Sequence, residues 1–398
     1  MHGKTRSWVG TVARVAAAGA LAMGLTAPEF AAAADKGTIK IGWIGGLTGP
    51  LAQVVQDAKQ GSEAAVEEIN AAGGILGQKV ELIYADTKID PQLARQAAQR
   101  MIYSDRVSAI IGDYFTPNTI AAMDLARDNQ VPMITFSGSD AIMRSKNGYI
   151  SHVVSSTENL ILALGTYALD TLKFKRFAIF TTNDAFGRET ADAFVALVKK
   201  RGAQIAGYET YDRATTRDFT NLLAKYKDNP VDAFFFGGAQ ADSALIAKQA
   251  RQLGLKTQLL GNYPVSKPPY YAIGGEVTEG TITVSNYIGL TTNIAEFGED
   301  STKAFVKKWE AKFGKPPSDD HAFGYDTMRV LAHAFEQAKS PKGAAVQQAL
   351  LKTQSYHGGL GTITMMPNGD ASIPVYVLKW RADGKMTVLG KHAGAGGK

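Results

Sequence analysis

The sequence predicts an α/β protein of two similar Rossmann-like lobes, parallel sheets flanked by helices, joined by a three-strand hinge with a ligand cleft between them. Three observations carry that prediction. Short β-branched runs alternate with helical stretches from residue 38 onward, the alternation restarts near residue 176 in register with the first half, and the helical segments after residue 300 come without strands of their own. Alternation of this length argues for parallel sheets covered on both faces. An internal repeat of this size argues for two lobes built alike. A chain of 398 residues also exceeds the size at which a single core keeps growing.

In the first half, 39–44 reads as a strand, 51–70 as a helix stopped by Gly73-Gly74, 80–85 as a strand, and Pro91 to about Ser104 as a helix. A strand over 107–112, a helix over 117–129 and a strand over 131–136 complete the series. In the second half, 176–182, 204–208, 231–237 and 257–260 read as strands, with helices over 185–201, 219–227 and 241–253. Gly112 and Gly237 hold equivalent places, each where a strand hands over to a helix. Residues 281–286 read as a return crossing. The helices near 301–313, 321–338 and 343–353 are expected to pack back on the first lobe, and 375–380 to add a late strand to the second. The expected division is 35–154 plus 287–361 for the first lobe and 155–286 plus 362–398 for the second.

Residues 1–34 read as a secretory signal peptide. Lys4, Arg6 and Arg14 form a basic start, 15–25 is a short apolar run, and Pro28 precedes four alanines ending at Ala34. The apolar run falls well short of the roughly 20 residues that span a bilayer. Export to the periplasm with cleavage near Ala34 is the expectation.

Charge and composition exclude several classes. The formal net charge is +6, of which the leader carries +2. No clustered basic footprint for nucleic acid is left. The absence of cysteine removes disulfides, zinc-thiolate and iron–sulfur sites, a cysteine nucleophile and a lipid-modified cysteine. His152, His321, His333, His357 and His392 have no metal-type partner at i+3 or i+4. No G-x-S-x-G elbow appears, so no catalytic residue and no metal is assigned. The turn at Gly45-Gly46-Leu47-Thr48-Gly49-Pro50, with Asp86 as the following acid, fails the dinucleotide spacing, and no cofactor is expected. Paired acids such as Asp319-Asp320 and Glu67-Glu68 read as solvated faces, and the basic runs 173–176 and 307–308 as surface charge.

In open α/β sheets, ligands bind beyond the carboxyl ends of the strands, and two facing lobes make a cleft there. The loop Gly112-Asp113-Tyr114-Phe115-Thr116-Pro117-Asn118-Thr119 is the most informative. Thr116 followed by Pro117 reads as an N-cap and first-turn pair. The N–H groups of Asn118 and Thr119 at that helix start suit a carboxylate; a plain helix cap reads equally well. The facing turn, Phe136-Ser137-Gly138-Ser139-Asp140, offers small residues and hydroxyls to a ligand, or is an ordinary turn.

These residues bring in a resemblance. The stretches 39–52, 67–86 with Asp90-Pro91, 107–119, 183–189, 217–227, 231–238 and 251–261 resemble type I periplasmic solute-binding proteins of the branched-chain amino-acid (leucine/isoleucine/valine) ABC transporter family, over nearly all of 38–385. The resemblance implies a monomeric carrier that closes on its ligand by hinge bending and delivers it to an ABC permease and its ATPase in the inner membrane. It places the carboxylate-holding hydroxyl on Thr116, its small and hydroxylic neighbours on Gly138 and Ser139, and the stacking aromatic on Phe186. The acid that takes the ligand's ammonium falls on Tyr263, and two site tyrosines fall on Val54 and Ala239. Phe115 stands at one half of a family disulfide.

Those departures have consequences. A buried ammonium without an acid is costly, so losing the acid argues for a small carboxylate with an aromatic or other apolar body, walled by Tyr114, Phe115, Phe186 and Tyr263. Asp140, Asp184, Glu158 or Asp242 as a relocated acid would keep a branched-chain amino acid in play. Amides and urea-like ligands are also within the family's range. A ligand-sensing subunit for a membrane receptor is the alternative of another class. A sugar-repressor type of regulator would need a DNA-binding segment where the leader stands.

Overall fold

The computed structural model describes residues 37–49 and 52–394; the expected leader lies outside the described residues. Strands β1 (Thr38–Gly45), β2 (Lys79–Asp86), β3 (Ala109–Ile111), β4 (Met133–Thr135) and β5 (Ile150–His152) form one parallel sheet in the order β2-β1-β3-β4-β5. Helices α1 (Ala52–Ala71), α2 (Pro91–Arg100), α3 (Thr116–Asp128) and the short α4 (Asp140–Arg144) connect them. Asp90 accepts from the N–H groups of Gln92 and Leu93 and so caps α2, with Pro91 in its first turn.

The second sheet has the order β15-β14-β10-β9-β8-β6-β7. Its strands β6 (Arg176–Thr182), β7 (Gln204–Tyr211), β8 (Ala233–Phe236), β9 (Gln258–Gly261) and β10 (Ile282–Ser285) are parallel, while β14 (Val375–Trp380) and β15 (Met386–His392) add antiparallel. Helices α5 (Thr157–Thr166), α6 (Ala185–Lys200), α7 (Thr220–Ala224), α8 (Gln240–Gln252) and α9 (Pro268–Gly274) accompany it. The unbroken apolar run of β8 follows from burial on both faces. Phe234 and Phe236 join one core with Phe180 and Tyr226, whereas Phe235 joins the other with Phe177 and Phe194.

The late helices α10 (Ile294–Phe297), α11 (Asp300–Phe313), α12 (Asp319–Ala338) and α13 (Gly343–Leu350) precede a small sheet of β11 (Tyr356–Gly358), β12 (Gly361–Met365) and β13 (Ala371–Ser372). Trp309, Phe323, Phe335 and Val346 bury themselves in the core of the first lobe, beside Trp43 and Val55. Helix α12 lies directly on α1. A Cβ at Gly61 would stand 2.1 Å from the His321 carbonyl oxygen, and one at Gly324 would stand 1.9 Å from that of Ala58. Glycine is what lets the two backbones approach.

Two expectations need correcting. Residues 282–285 are a full member of the second sheet, and the crossing begins only at Asn286. The expected boundary at 361 is also too early, because Ile363, Met365, Ala371 and Ile373 all sit in the first lobe's core. Strands β12 and β13 pair antiparallel there, so the last crossing falls at Pro374. One side chain ties all three crossings together. Asn286 accepts from Ser155 N–H at 3.0 Å and donates to Ser155 Oγ and to the Pro374 carbonyl, both at 2.8 Å.

Candidate functional site

The turns at the carboxyl ends of both sheets face each other across a cavity of about 250 Å³, a little below the roughly 300–1,000 Å³ of drug-sized sites. The first lobe contributes Val54 from α1, Tyr114, Phe115, Thr116 and Pro117 after β3, Phe136 to Ser139 after β4, and Asp320 from the first turn of α12. The second lobe contributes Thr157 from α5, Asp184, Ala185 and Phe186 after β6, Arg213 after β7, Ala239 and Gln240 after β8, and Tyr263, Pro264 and Lys267 after β9. A wider groove of about 710 Å³ opens beside the cavity between α3, α4, α5 and α6, walled largely by surface helices.

Asp113 holds the Tyr114–Thr116 loop. Its carboxylate accepts from Thr87 Oγ1 at 2.6 Å, Asn118 Nδ2 at 2.8 Å and Phe115 N–H at 3.0 Å. This network does the positioning where the resemblance put half a disulfide at Phe115. It also corrects the reading of Thr116. Phe115 occupies the N-cap, and its carbonyl takes the N–H groups of Asn118 and Thr119. Thr116 is then the first residue of α3, and its hydroxyl lies 2.8 Å from Ser137 Oγ. Two hydroxyls carry two protons, and the bond between them uses one. The other is available to an acceptor in the cavity, beside the positive end of the α3 dipole.

The lobes also touch around the cavity. Ser139 Oγ and Asp140 N–H both donate to Glu189 of α6, each at 2.6 Å, so the Ser139 hydroxyl proton is engaged in a contact between the lobes. On the other side, Lys267 Nζ lies 2.7 Å from Asp319 and 2.8 Å from Asp320, and Tyr114 OH donates to Asp320 at 3.0 Å. The ammonium also sits over the rings of Tyr263, at 4.6 Å, and Phe323, at 5.7 Å. Burial disfavours the charge on Lys267, but the two aspartates outweigh it and hold its pKa above the ordinary lysine value. Burial, with Asp319 adding, pushes the Asp320 carboxyl up against the pull of Lys267. Burial also keeps the Tyr114 and Tyr263 phenols protonated.

A sequence model of the family described as "Periplasmic binding protein" matches residues 38–385. Leu/Ile/Val-binding protein homolog 3 of Brucella melitensis biotype 1 is 31% identical over 362 residues, 90% of this chain and 95% of its own. The chain belongs to this family of periplasmic binding proteins. More narrowly, it is a type I periplasmic binding protein of the branched-chain amino-acid transporter family. Such proteins are the substrate-binding components of ABC importers, not enzymes, and work with a membrane permease and its ATPase. A leucine-binding protein of Thermotoga maritima superposes with a TM-score of 0.80 at 28% identity, covering 89% of this chain and 98% of its own. A solute-binding protein of an ABC transporter from Rhodopseudomonas palustris BisB5, in complex with 3,4-dihydroxybenzoic acid, has the same fold, with a TM-score of 0.78 at 23% identity over 90% of this chain and 98% of its own.

The periplasmic binding protein gathers Val54, Tyr114, Phe115, Thr116, Gly138, Ser139, Phe186, Ala239 and Tyr263 around one cavity. Gly138 has a structural reason as well, because a Cβ there would stand 2.7 Å from the Ser155 carbonyl oxygen in the hinge. Of the acids considered as relocated ammonium partners, only Asp184 lines the cavity. It caps α6 through Gly187 N–H at 2.8 Å and pairs with Arg213 at 2.9 Å. Asp242 is engaged with Tyr211 and Ala239 N–H, while Asp140 and Glu158 face the neighbouring groove. The reading of Asp319-Asp320 as a solvated face is overturned: both are buried. His152 is a buried, partnered histidine, bonded to Asp370 and the Ser137 carbonyl. Among the described residues, no group of three or more His, Cys, Asp or Glu is placed to hold a metal ion. No described helix is long and apolar enough to cross a membrane.

Proposed function

We propose that this binding protein, exported by the leader at 1–34, captures a small carboxylate with an aromatic or other apolar body and no α-ammonium, closes on it, and hands it to its permease. One observation carries the reading. Both acids on the cavity wall are already matched by cations of the chain itself, Asp320 by Lys267 and Asp184 by Arg213. A ligand ammonium would therefore be desolvated without a carboxylate of its own, at a cost of several kcal/mol. A ligand carboxylate meets the spare hydroxyl proton of the Thr116–Ser137 pair at the start of α3. Tyr114, Phe115, Phe186 and Tyr263 suit an aromatic body. The dihydroxybenzoate complex of the Rhodopseudomonas protein supports the compatibility of this fold with such acids.

A second reading has its own support. The Brucella and Thermotoga proteins are named for branched-chain amino acids, and the buried group of Lys267, Asp319 and Asp320 holds one carboxylate more than its cation. Thermal shift on residues 35–398, refolded to strip carried-over ligand, separates the two. The panel is leucine, isoleucine, valine, 4-hydroxybenzoate, cinnamate, short aliphatic acids and urea. A ligand at about 1,000 times its Kd adds about 4 kcal/mol and raises the melting point by several degrees. The expected result is a shift with aromatic acids and none with leucine; the reverse pattern establishes the amino-acid reading instead.

A further inference from the structure

The surroundings of Lys267 Nζ have the form of a receptor for a primary ammonium. Two carboxylates lie within 2.8 Å and two aromatic faces within 5.7 Å. Carboxylates and π-faces together are how proteins hold alkylammonium groups. Here the chain fills the receptor with its own side chain. The two sides of the contact belong to different lobes: Lys267 stands between Val265 and Tyr270, which are in a core of the second lobe, and Asp319 and Asp320 open α12, whose Phe323 is in the core of the first. Asp320, the lysine and Tyr114 line the ligand cavity, and Asp319 backs them.

We propose that Lys267 is a resident ammonium, a specificity-determining residue that occupies from the second lobe the cation site of the first. It makes a ligand ammonium redundant and helps draw the lobes together. A ligand that bridges the lobes through its own ammonium and carboxylate supplies both halves of the closure. In this protein the cationic half is built in, and the ligand brings only the anionic and apolar parts. The specificity half of this inference rests on the ligand reading given above; the interlobe half does not.

The test compares ligand pairs that differ only in the α-ammonium, leucine against 4-methylpentanoate and phenylalanine against 3-phenylpropanoate. Lys267→Met keeps an unbranched side chain, ends one atom short of the ammonium position and removes the charge. Small-angle scattering without ligand is expected to show a more open Lys267→Met protein. Millimolar methylammonium should restore the compact form where sodium does not. Calorimetry should show the preference for the deamino ligand falling by about tenfold or more, the scale on which a lost buried charge partner acts. The double variant Asp319→Asn/Asp320→Asn removes the receptor while keeping the lysine. It should open likewise without responding to methylammonium, and it carries the test if Lys267→Met does not fold. Unchanged scattering and unchanged ligand preference in Lys267→Met would overturn the proposal. Wild-type protein that prefers leucine to 4-methylpentanoate overturns the ligand reading and the specificity half, and leaves the opening of Lys267→Met as a separate measurement of the interlobe half.

Discussion

Thr116 and Ser137 share two hydroxyl protons and spend one of them on each other, which makes the pair a donor waiting for an acceptor. Thr116→Ala removes one hydroxyl and the bond that orients the other, leaving Ser137 with only the Ser139 N–H near its oxygen. The affinity for the tightest carboxylate in the panel should fall by roughly 1–3 kcal/mol, read by calorimetry; an unchanged Kd would place the carboxylate elsewhere. The first-lobe turns of this wall were legible from sequence through a positional rule, since ligands bind beyond strand ends, whereas Val54, Phe186, Ala239 and Tyr263 came from the family resemblance. The role of Thr116 within the wall was not legible. Asp113 bonds the N–H of Phe115 and shifts the cap one residue upstream, and Asp and Thr compete for such local bonds on equal terms. Lys267 and Asp320 escaped for a different reason. Adjacent acids at a helix start are usually solvated, and nothing local marks a pair that is covered by a turn 53 residues earlier in the chain.

The contact between α1 and α12 shows what an element can and cannot reveal in advance. That the late helices return to the first lobe was expected because no strand separates α10 from α13. Which faces meet depends on Gly61 and Gly324, each pressed against a carbonyl of the opposite helix. Ser62 Oγ donates to the Gly324 carbonyl at 3.1 Å and takes the indole N–H of Trp43 at 3.1 Å, tying both helices to β1. Gly61→Ala should therefore destabilise the protein. Overpacking costs about 1–3 kcal/mol, against a gain of at most about 1 kcal/mol in helix propensity. Urea unfolding measures the balance, and a variant more stable than wild type would mean the helices part freely. The strands that sequence reading missed, β5, β11 to β13 and β15, are short or alternate buried with half-buried residues. They carry little pattern of their own and exist because their neighbours offer an edge.

Across the whole molecule, the hinge is the feature on which both lobes depend, and Asn286 is the residue that all three of its segments share. Asn286→Ala leaves Ser155 N–H and the Pro374 carbonyl without a partner in a buried place. It should cost about 1–3 kcal/mol in urea unfolding and broaden the interlobe distances seen by scattering. Unchanged values in both would mean that the strands alone define the hinge. The same triple crossing has a consequence for how the chain is made. Synthesis delivers β1 to β5 first, yet their core is completed by Trp309, Phe323, Leu360 and Ile373, which follow only after most of the second lobe has been synthesised. The second sheet in turn waits for β14 and β15 at the far end. Neither lobe can finish before its last segment arrives, so a chain stopped at 373 leaves the second sheet without its closing strands. Such long-range pairing slows folding and prolongs exposure of unfinished sheet, which favours a chain kept unfolded until its final residue is available.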